Sequence, residues 1–246
     1  MPRYDAVILD FDGTFTDSAE GILASANAAF AEMGFPLMEF PEFRPFLGPP
    51  LERSFIDFCG MTPEQARQAI AIYRREYDAG NCMRTRVYGG MEALLPRLRA
   101  EGVKTAVASS KPAVFLEKIL AGLGLRGLFD AVCGPGLGLI DSGKAGLIAE
   151  AARQCGAPPA RCLMVGDRRF DIEGAKALGM PCAGALWGFG SREELEQAGA
   201  DFLVEDVGGL GRIFWLREPE EDVVLQDEGL FPAESDPDTV VGGPQR

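Results

Sequence analysis

The sequence predicts an α/β protein with a parallel sheet and a helical segment inserted near its start. Three observations predict it. An apolar run, Ala6-Val7-Ile8-Leu9, ends in Asp10-Phe11-Asp12-Gly13-Thr14, which reads as a buried strand followed at once by a turn. From Val87 to about Leu216 strand-like and helix-like stretches alternate, as βαβ units require. Between Thr16 and about Arg86 that alternation gives way to helix after helix.

The elements follow in order. Asp17 is placed to cap a helix that carries Ile22, Leu23, Ala26, Phe30 and Met33 on one face. Thr62-Pro63-Glu64-Gln65 is a helix start, with a capping Thr, Pro at the first helical position and Gln three residues after the cap. Gly80 is the expected stop. Strands are expected at 103–108, 129–133, 161–165 and 181–186, with an edge strand at 202–204. Helices are expected at 112–120, 145–155 and 171–178, and Ser191-Arg192-Glu193-Glu194 opens another with a capping-box pattern. The predicted organisation is an α/β catalytic core at 1–15 and 87–216, a helical cap at 16–86 joined by hinges near Thr16 and Arg86, and an acidic, flexible tail at 217–246 rich in Glu, Asp, Pro and Gly.

Composition narrows the function. The chain has 246 residues and 47% apolar content, enough to bury a sizeable core. No run reaches the ~18 apolar residues of a membrane span. The amino terminus enters the first strand directly, without a visible export signal, so the expected location is cytoplasmic. The six cysteines are scattered without a C-x-x-C and read as buried free thiols. A net charge of −13 argues against a nucleic acid polymer as partner, because such binding rests on Lys and Arg neutralising phosphates. A small phosphate ester remains open. The chain has no histidine. Ser-His-Asp and Cys-His catalysis and His-ligated zinc are therefore excluded, and any hard metal must be held by oxygens.

Four motifs carry chemistry. Asp10 and Asp12 lie two residues apart after a strand and point the same way if the backbone stays extended. One carboxylate can attack phosphorus and the other can serve as general acid and base; the plain alternative is a turn with solvated acids. Ser109-Ser110-Lys111 follows the strand at 103–108 and can receive phosphate oxygens, or simply cap a helix. Lys144 opens a helix after the loop 135–143 and can neutralise developing charge, or lie on the surface. In Gly166-Asp167-Arg168-Arg169-Phe170-Asp171, Asp167 can offer a metal oxygen, and Asp171 can orient water or Lys144 or merely complement a helix dipole. All four fall at the C-terminal ends of predicted core strands, where open α/β sheets place their chemistry. Together they fill the roles of nucleophile, acid/base, phosphate donor, cation and metal ligand.

On these motifs, in this order, the sequence resembles the haloacid dehalogenase superfamily over about residues 4–216, and specifically its magnesium-dependent phosphatases. The resemblance implies a Rossmann-like core with a C1-type helical cap. It implies Asp10 as nucleophile, Asp12 as general acid/base, Ser109 as phosphate-binding hydroxyl with Ser110 beside it, and Lys144 as the phosphate-stabilising lysine. Mg2+ would meet a carboxylate oxygen of Asp10, the backbone carbonyl of Asp12, and Asp167, with Asp171 as the accompanying acid. The cap resembles the phosphoglycolate phosphatase type. Its run from Phe46 to Phe55, which includes Gly48, Pro49 and Arg53, resembles a bacterial subgroup described as 5′-nucleotidases; so do the Asp167 motif and Trp187-Gly188-Phe189-Gly190-Ser191. Gly48, Pro49 and Arg53 are thus expected in a substrate loop, although Gly48-Pro49-Pro50 also reads as a rigid turn before a helix.

Two departures stand out. The residues before Lys144 lack the polar, Arg-containing run expected there, which makes Lys111 a candidate to share its cationic role. Position 15 is Phe where Leu or Ile is usual. The expected substrate is a small soluble phosphate ester: a nucleoside 5′-monophosphate first, then 2-phosphoglycolate. A sugar phosphomutase and a non-catalytic regulator that binds a phosphometabolite are the remaining alternatives. Asp12 argues against dehalogenation, which needs no acid two residues after the nucleophile. Monomer and homodimer both stay open.

Overall fold

The computed structural model describes residues 2–137 and 143–215. The expected tail at 217–246, and residues 139–142 before Lys144, lie outside the described residues.

The first strand, β1 (Ala6–Leu9), is buried along its whole length. A short β2 (Thr16–Asp17) leads into α1 (Ala19–Met33), α2 (Leu51–Arg53), which continues as a wider π turn over Ser54–Phe58, and α3 (Pro63–Ala79). Then come β3 (Arg86–Val87), α4 (Met91–Ala100), β4 (Lys104–Ala108), α5 (Ala113–Gly122), β5 (Ala131–Cys133) and α6 (Gly143–Cys155). The chain continues through β6 (Cys162–Gly166), α7 (Arg169–Lys176), β7 (Cys182–Ala185), α8 (Arg192–Gln197), β8 (Phe202–Val204) and α9 (Val207–Trp215). Six strands form one parallel sheet in the order β5-β4-β1-β6-β7-β8. The strand expected at the edge, β8, is at the edge.

A parallel sheet is covered on both faces, so its strands bury both sets of alternating side chains. In β1, Val7 and Leu9 join one buried cluster, and Ala6 and Ile8 join the other. β6 divides the same way, with Leu163 and Val165 on one face and Cys162 and Met164 on the opposite one. The face toward α6 is built from small residues, Ala106, Ala108 and Ala131 against Ala151 and Ala152, which lets that helix lie close. Phe15 packs edge-on against Phe129 at 5.1 Å and beside Phe11 at 5.7 Å, so the larger residue at position 15 fills space between the turn after β1 and β5. The cysteines of the described residues are all free.

Between β1 and β4 the chain makes its helical insertion. β2 and β3 pair antiparallel, Thr16 with Val87 and Asp17 with Arg86, so the entry and exit of the insertion lie side by side. Thr62 caps α3 as expected. Its hydroxyl accepts from Gln65 N at 3.3 Å, and Gln65 Oε1 accepts from Thr62 N at 2.9 Å. The cap of α1 differs from expectation. Ser18 holds the N-cap position, and Asp17 accepts from Ala19 N at 3.2 Å, because the Ser18 hydroxyl is drawn to Asp12 instead. The box at Ser191 is half formed. Ser191 accepts from Glu194 N at 3.1 Å, but the Glu194 carboxylate turns to Arg168 Nε at 2.9 Å and Arg169 N at 3.0 Å.

The sheet order fixes where a ligand can sit. The chain moves from β1 outward through β4 to β5, then crosses to β6 on the other side of β1. Such a reversal opens a crevice outside the carboxyl ends of the central strands. Asp10, Ser109 and Asp167 each follow directly on β1, β4 and β6 at that end.

Candidate active site

Asp10 leaves β1 with its N–H still donated to Val165 O at 2.9 Å, so its start is fixed by the sheet. The chain then turns through Gly13 at φ +83°, and a Cβ there would stand 2.3 Å from Asp167 Oδ2. Both the left-handed backbone and the close approach demand glycine.

Lys144, on the first turn of α6, lies between two buried acids. Its Nζ is 2.7 Å from Asp10 Oδ1 and 2.6 Å from Asp171 Oδ1. Asp171 Oδ2 accepts from Arg168 N at 3.1 Å. Burial works against the ammonium charge, but the carboxylates of Asp10 and Asp171 outweigh it and hold the lysine above its ordinary range. This is a buried cation with two anions, not a surface lysine.

Asp167 is fully buried. Thr14 Oγ1 donates to its Oδ1 at 2.9 Å and Phe189 N to its Oδ2 at 2.8 Å. Burial pushes its carboxyl up to about 8, the charges of Asp10 and Asp171 add to that, and the two donors oppose it. Asp171 is pushed up to about 6, chiefly by burial, with Lys144 pulling the other way and Asp10 adding to the rise. Asp10, Asp167 and Asp171 each bring a carboxylate oxygen within 4.8 Å of the others. Among the described residues three acids share one ammonium, so the cluster is short of positive charge. A hard divalent cation suits such a set of oxygens. Asp171 already has its ammonium partner, whereas the donors on Asp167 are neutral.

Asp12 faces a different set of groups. Its Oδ1 accepts from Ser18 Oγ at 2.5 Å and from Lys111 Nζ at 2.6 Å. The side chain of Lys111 is only 6% exposed. It donates also to Tyr77 Oη, on α3 of the insertion, at 2.6 Å, and lies about 5 Å from the Phe11 and Tyr77 rings, at 5.2 and 5.0 Å. Ser109 is buried, and its Oγ accepts from Lys111 N at 3.3 Å.

A cleft of about 660 Å3, counting its open mouth, has Asp10, Asp12 and Ser109–Lys111 on the core side and Gly48, Pro49, Tyr73, Arg74 and Tyr77 on the insertion side. An adjoining pocket brings Arg53, Ser110 and Lys144 together. Of the residues expected from sequence, Asp10, Lys144, Asp167 and Asp171 therefore meet in one cluster. Asp12 and Ser109 stand beside it on the cleft, and Gly48, Pro49 and Arg53 border the two openings. Lys111 pairs with Asp12 rather than sharing the place of Lys144. Tyr73, Arg74, Tyr77 and the Phe189 N–H are additions that sequence reading did not supply. Tyrosines on a helix face look like core until a partner across the chain is seen.

The α/β crevice presents paired carboxylates, a buried lysine and a cluster of three acids at the ends of the central strands, an arrangement suited to hydrolytic chemistry. The chain belongs to the haloacid dehalogenase-like hydrolases, whose family model matches residues 7–185; it is an enzyme. It is 33% identical over 211 residues to a 5′-nucleotidase of Pseudomonas aeruginosa, covering 86% of this chain and 96% of that one. It is 30% identical over 204 residues to a phosphoglycolate phosphatase of Synechococcus elongatus, covering 81% and 92%. Among solved structures it is similar to a predicted phosphatase from Clostridium acetobutylicum, with a TM-score of 0.80, 37% identity, and coverage of 85% and 97%. Among the described residues no helix is long and apolar enough to cross a membrane.

Proposed function

We propose that the protein hydrolyses small soluble phosphate monoesters through an aspartyl-phosphate, and that nucleoside 5′-monophosphates are its substrates. The observation that carries the reaction is the pair of unequal carboxylates. Asp10 is held by Lys144 within the acid cluster, whereas Asp12 is held by Lys111 and Ser18 on the cleft wall.

In the first half-reaction an Asp10 carboxylate oxygen attacks phosphorus and the ester P–O bond breaks. Asp12 gives a proton to the departing alcohol oxygen. Among the described residues both donors to Asp12 fall on Oδ1, which leaves Oδ2 as the oxygen to carry that proton. In the second half Asp12, now ionised, takes a proton from water. The water oxygen bonds to phosphorus, the acyl phosphate bond breaks, and Asp10 returns as a carboxylate. Ser109 and the backbone N–H groups that open α5 hold phosphate oxygens, and Lys144 offsets their charge. Asp171 keeps Lys144 aimed at Asp10. Asp10, Asp167 and the Asp12 carbonyl would hold Mg2+, which supplies electrostatic relief between the nucleophile and an anionic phosphate. The insertion closes over the crevice as a cap and excludes bulk water.

The substrate assignment is supported by the identity to the Pseudomonas aeruginosa enzyme over 96% of its length; the insertion wall of the cleft includes Phe46, Tyr73 and Tyr77 among its lining residues. The test is a phosphate-release screen with Mg2+ over nucleoside monophosphates, 2-phosphoglycolate, sugar phosphates and p-nitrophenyl phosphate. The expected result is turnover of the aryl ester and preference for nucleotides. A preference for phosphoglycolate overturns the substrate, and equal inactivity of wild type and Asp10→Asn overturns the reaction.

A further inference from the structure

Arg44 belongs to the insertion, on a single 3-10 turn at Arg44–Phe46. Its guanidinium crosses to the loop after β7 and donates to three successive carbonyls. Nε reaches Phe189 O at 2.7 Å, and Nη2 reaches Gly188 O at 3.2 Å and Gly190 O at 3.3 Å. That loop is also the wall behind Asp167. Phe189 N donates to Asp167 Oδ2 at 2.8 Å. A Cβ on Gly188 would lie 2.2 Å from Asp167 Cβ, and one on Gly190 would lie 1.9 Å from the Asp167 carbonyl oxygen. The loop backbone thus packs directly against Asp167, with the Phe189 N–H on its carboxylate.

The tie runs in the opposite direction as well. Arg168, next to Asp167 in sequence, donates to the Leu47 carbonyl of the insertion while Glu194 holds its Nε at 2.9 Å. Gly48 follows with φ +105°, and a Cβ there would meet Arg168 Nη1 at 2.7 Å. Residues 44–48 of the insertion are thus fastened by two arginines, one from each side, to the loops that carry and back Asp167. Arg44 itself lines neither pocket, so its influence is exerted through the loop.

We propose that Arg44 is a positioning residue for the cation site: with the insertion docked, its fork on the 188–190 carbonyls fixes the Phe189 N–H on Asp167 and so sets the affinity of that carboxylate for a divalent cation. This rests on the reading above that Asp167 holds Mg2+. Groups behind a metal ligand commonly change metal affinity by about 10- to 100-fold. Linkage makes the effect mutual, so cation binding must also favour the docked insertion.

The test uses the full chain without substrate. Mg2+ binding is measured by titration calorimetry for wild type, Arg44→Lys and Arg44→Met, with circular dichroism and melting curves to compare their folding. Arg44→Met is expected to bind Mg2+ about tenfold more weakly, and Arg44→Lys to fall between, because one ammonium cannot span three carbonyls. Hydrogen exchange on the wild type gives an independent reading, with Mg2+ expected to slow exchange at 44–48 as well as at 188–190. A folded Arg44→Met with wild-type affinity overturns the proposal. So does a wild type that takes up no Mg2+, or one whose exchange at 44–48 ignores Mg2+. A wild type that binds Mg2+ with this linkage but releases no phosphate instead breaks the phosphatase reading and leaves the role of Arg44 standing.

Discussion

Two lysines stand beside two aspartates at the end of the same strand, and their surroundings differ. Lys144 and its partners Asp10 and Asp171 all come from the α/β core, from the end of β1, the first turn of α6 and the first turn of α7. Lys111 also comes from the core, but the corner it shares with Asp12 is completed by Ser18 and Tyr77 at the entry and the last long helix of the insertion. The Asp10 corner is therefore assembled whenever the sheet is folded. The Asp12 corner needs the insertion in place. In the proposed reaction this separates a nucleophile that is always ready from an acid/base whose surroundings depend on what covers the cleft.

The largest expected effect breaks the first corner. Asp10→Asn removes the proposed nucleophile, and p-nitrophenyl phosphate hydrolysis is expected to fall by at least ~10^4-fold, with or without an intact Asp12 corner. Asp12→Asn is expected to cost ~10^2- to 10^4-fold on alkyl phosphates. For the aryl ester the loss should be smaller in the step that releases nitrophenolate, a good leaving group. Equal losses for both variants on both esters would erase the contrast between nucleophile and acid.

The lysines sharpen the comparison. Lys144→Met leaves Asp10 and Asp171 as buried acids without their cation, and breaking such a pair costs about 3–5 kcal/mol of stability, readable by urea unfolding. Tyr77→Phe removes the hydroxyl that accepts from Lys111 Nζ in the other corner. A roughly tenfold lower kcat on alkyl phosphates, with little change in unfolding, is the expected result. If Tyr77→Phe destabilises the chain as much as Lys144→Met, the Asp12 corner is a structural anchor instead.

A pH-dependent effect concerns the cluster around Asp167. Its carboxyl is raised to about 8 in the folded protein, above the ordinary aspartate value. The folded state thus holds a proton that the unfolded chain has already lost across the window from about pH 4 to 8. The stabilisation this gives is full below pH 4 and is lost as pH rises through 8. Metal-free wild type should therefore lose stability from pH 5 to pH 8, by a few kcal/mol. Asp167→Asn should flatten that slope, and Mg2+ should flatten it in the wild type. A metal-free protein equally stable at pH 5 and pH 8 would contradict the charge excess inferred for the cluster.

Much of this arrangement was legible in the sequence for local reasons. Runs such as Ala6–Leu9 and Cys162–Gly166 are apolar on both faces, which only a covered parallel strand uses. Thr62-Pro63-Glu64-Gln65 specifies its own cap. Carboxylates that directly follow strands inherit their place from the sheet, which is why Asp10 and Asp167 could be named before their neighbours were known. With histidine absent, the acids and lysines were the remaining bearers of proton and charge chemistry. The half-formed box at Ser191 shows the limit, since Glu194 has a local partner available and takes Arg168 instead.

What only the tertiary structure decided is pairing across distance. Lys111 and Lys144 are alike in sequence, and which aspartate each meets depends on how α5 and α6 are set against β1. Tyr77 has the spacing of a core residue on α3, and its hydroxyl acquires a role only because the insertion folds back onto Lys111. The three carbonyls under Arg44 leave no trace in composition or periodicity, because every residue has a carbonyl. Sequence by itself determined the strands of the six-stranded sheet, the helical insertion and the acids at the strand ends, since periodicity and adjacency are local properties; the β2–β3 pair at the two ends of the insertion was read only as hinges. Which cation stands against which acid, and which loop stands behind Asp167, is set by packing between segments far apart in the chain.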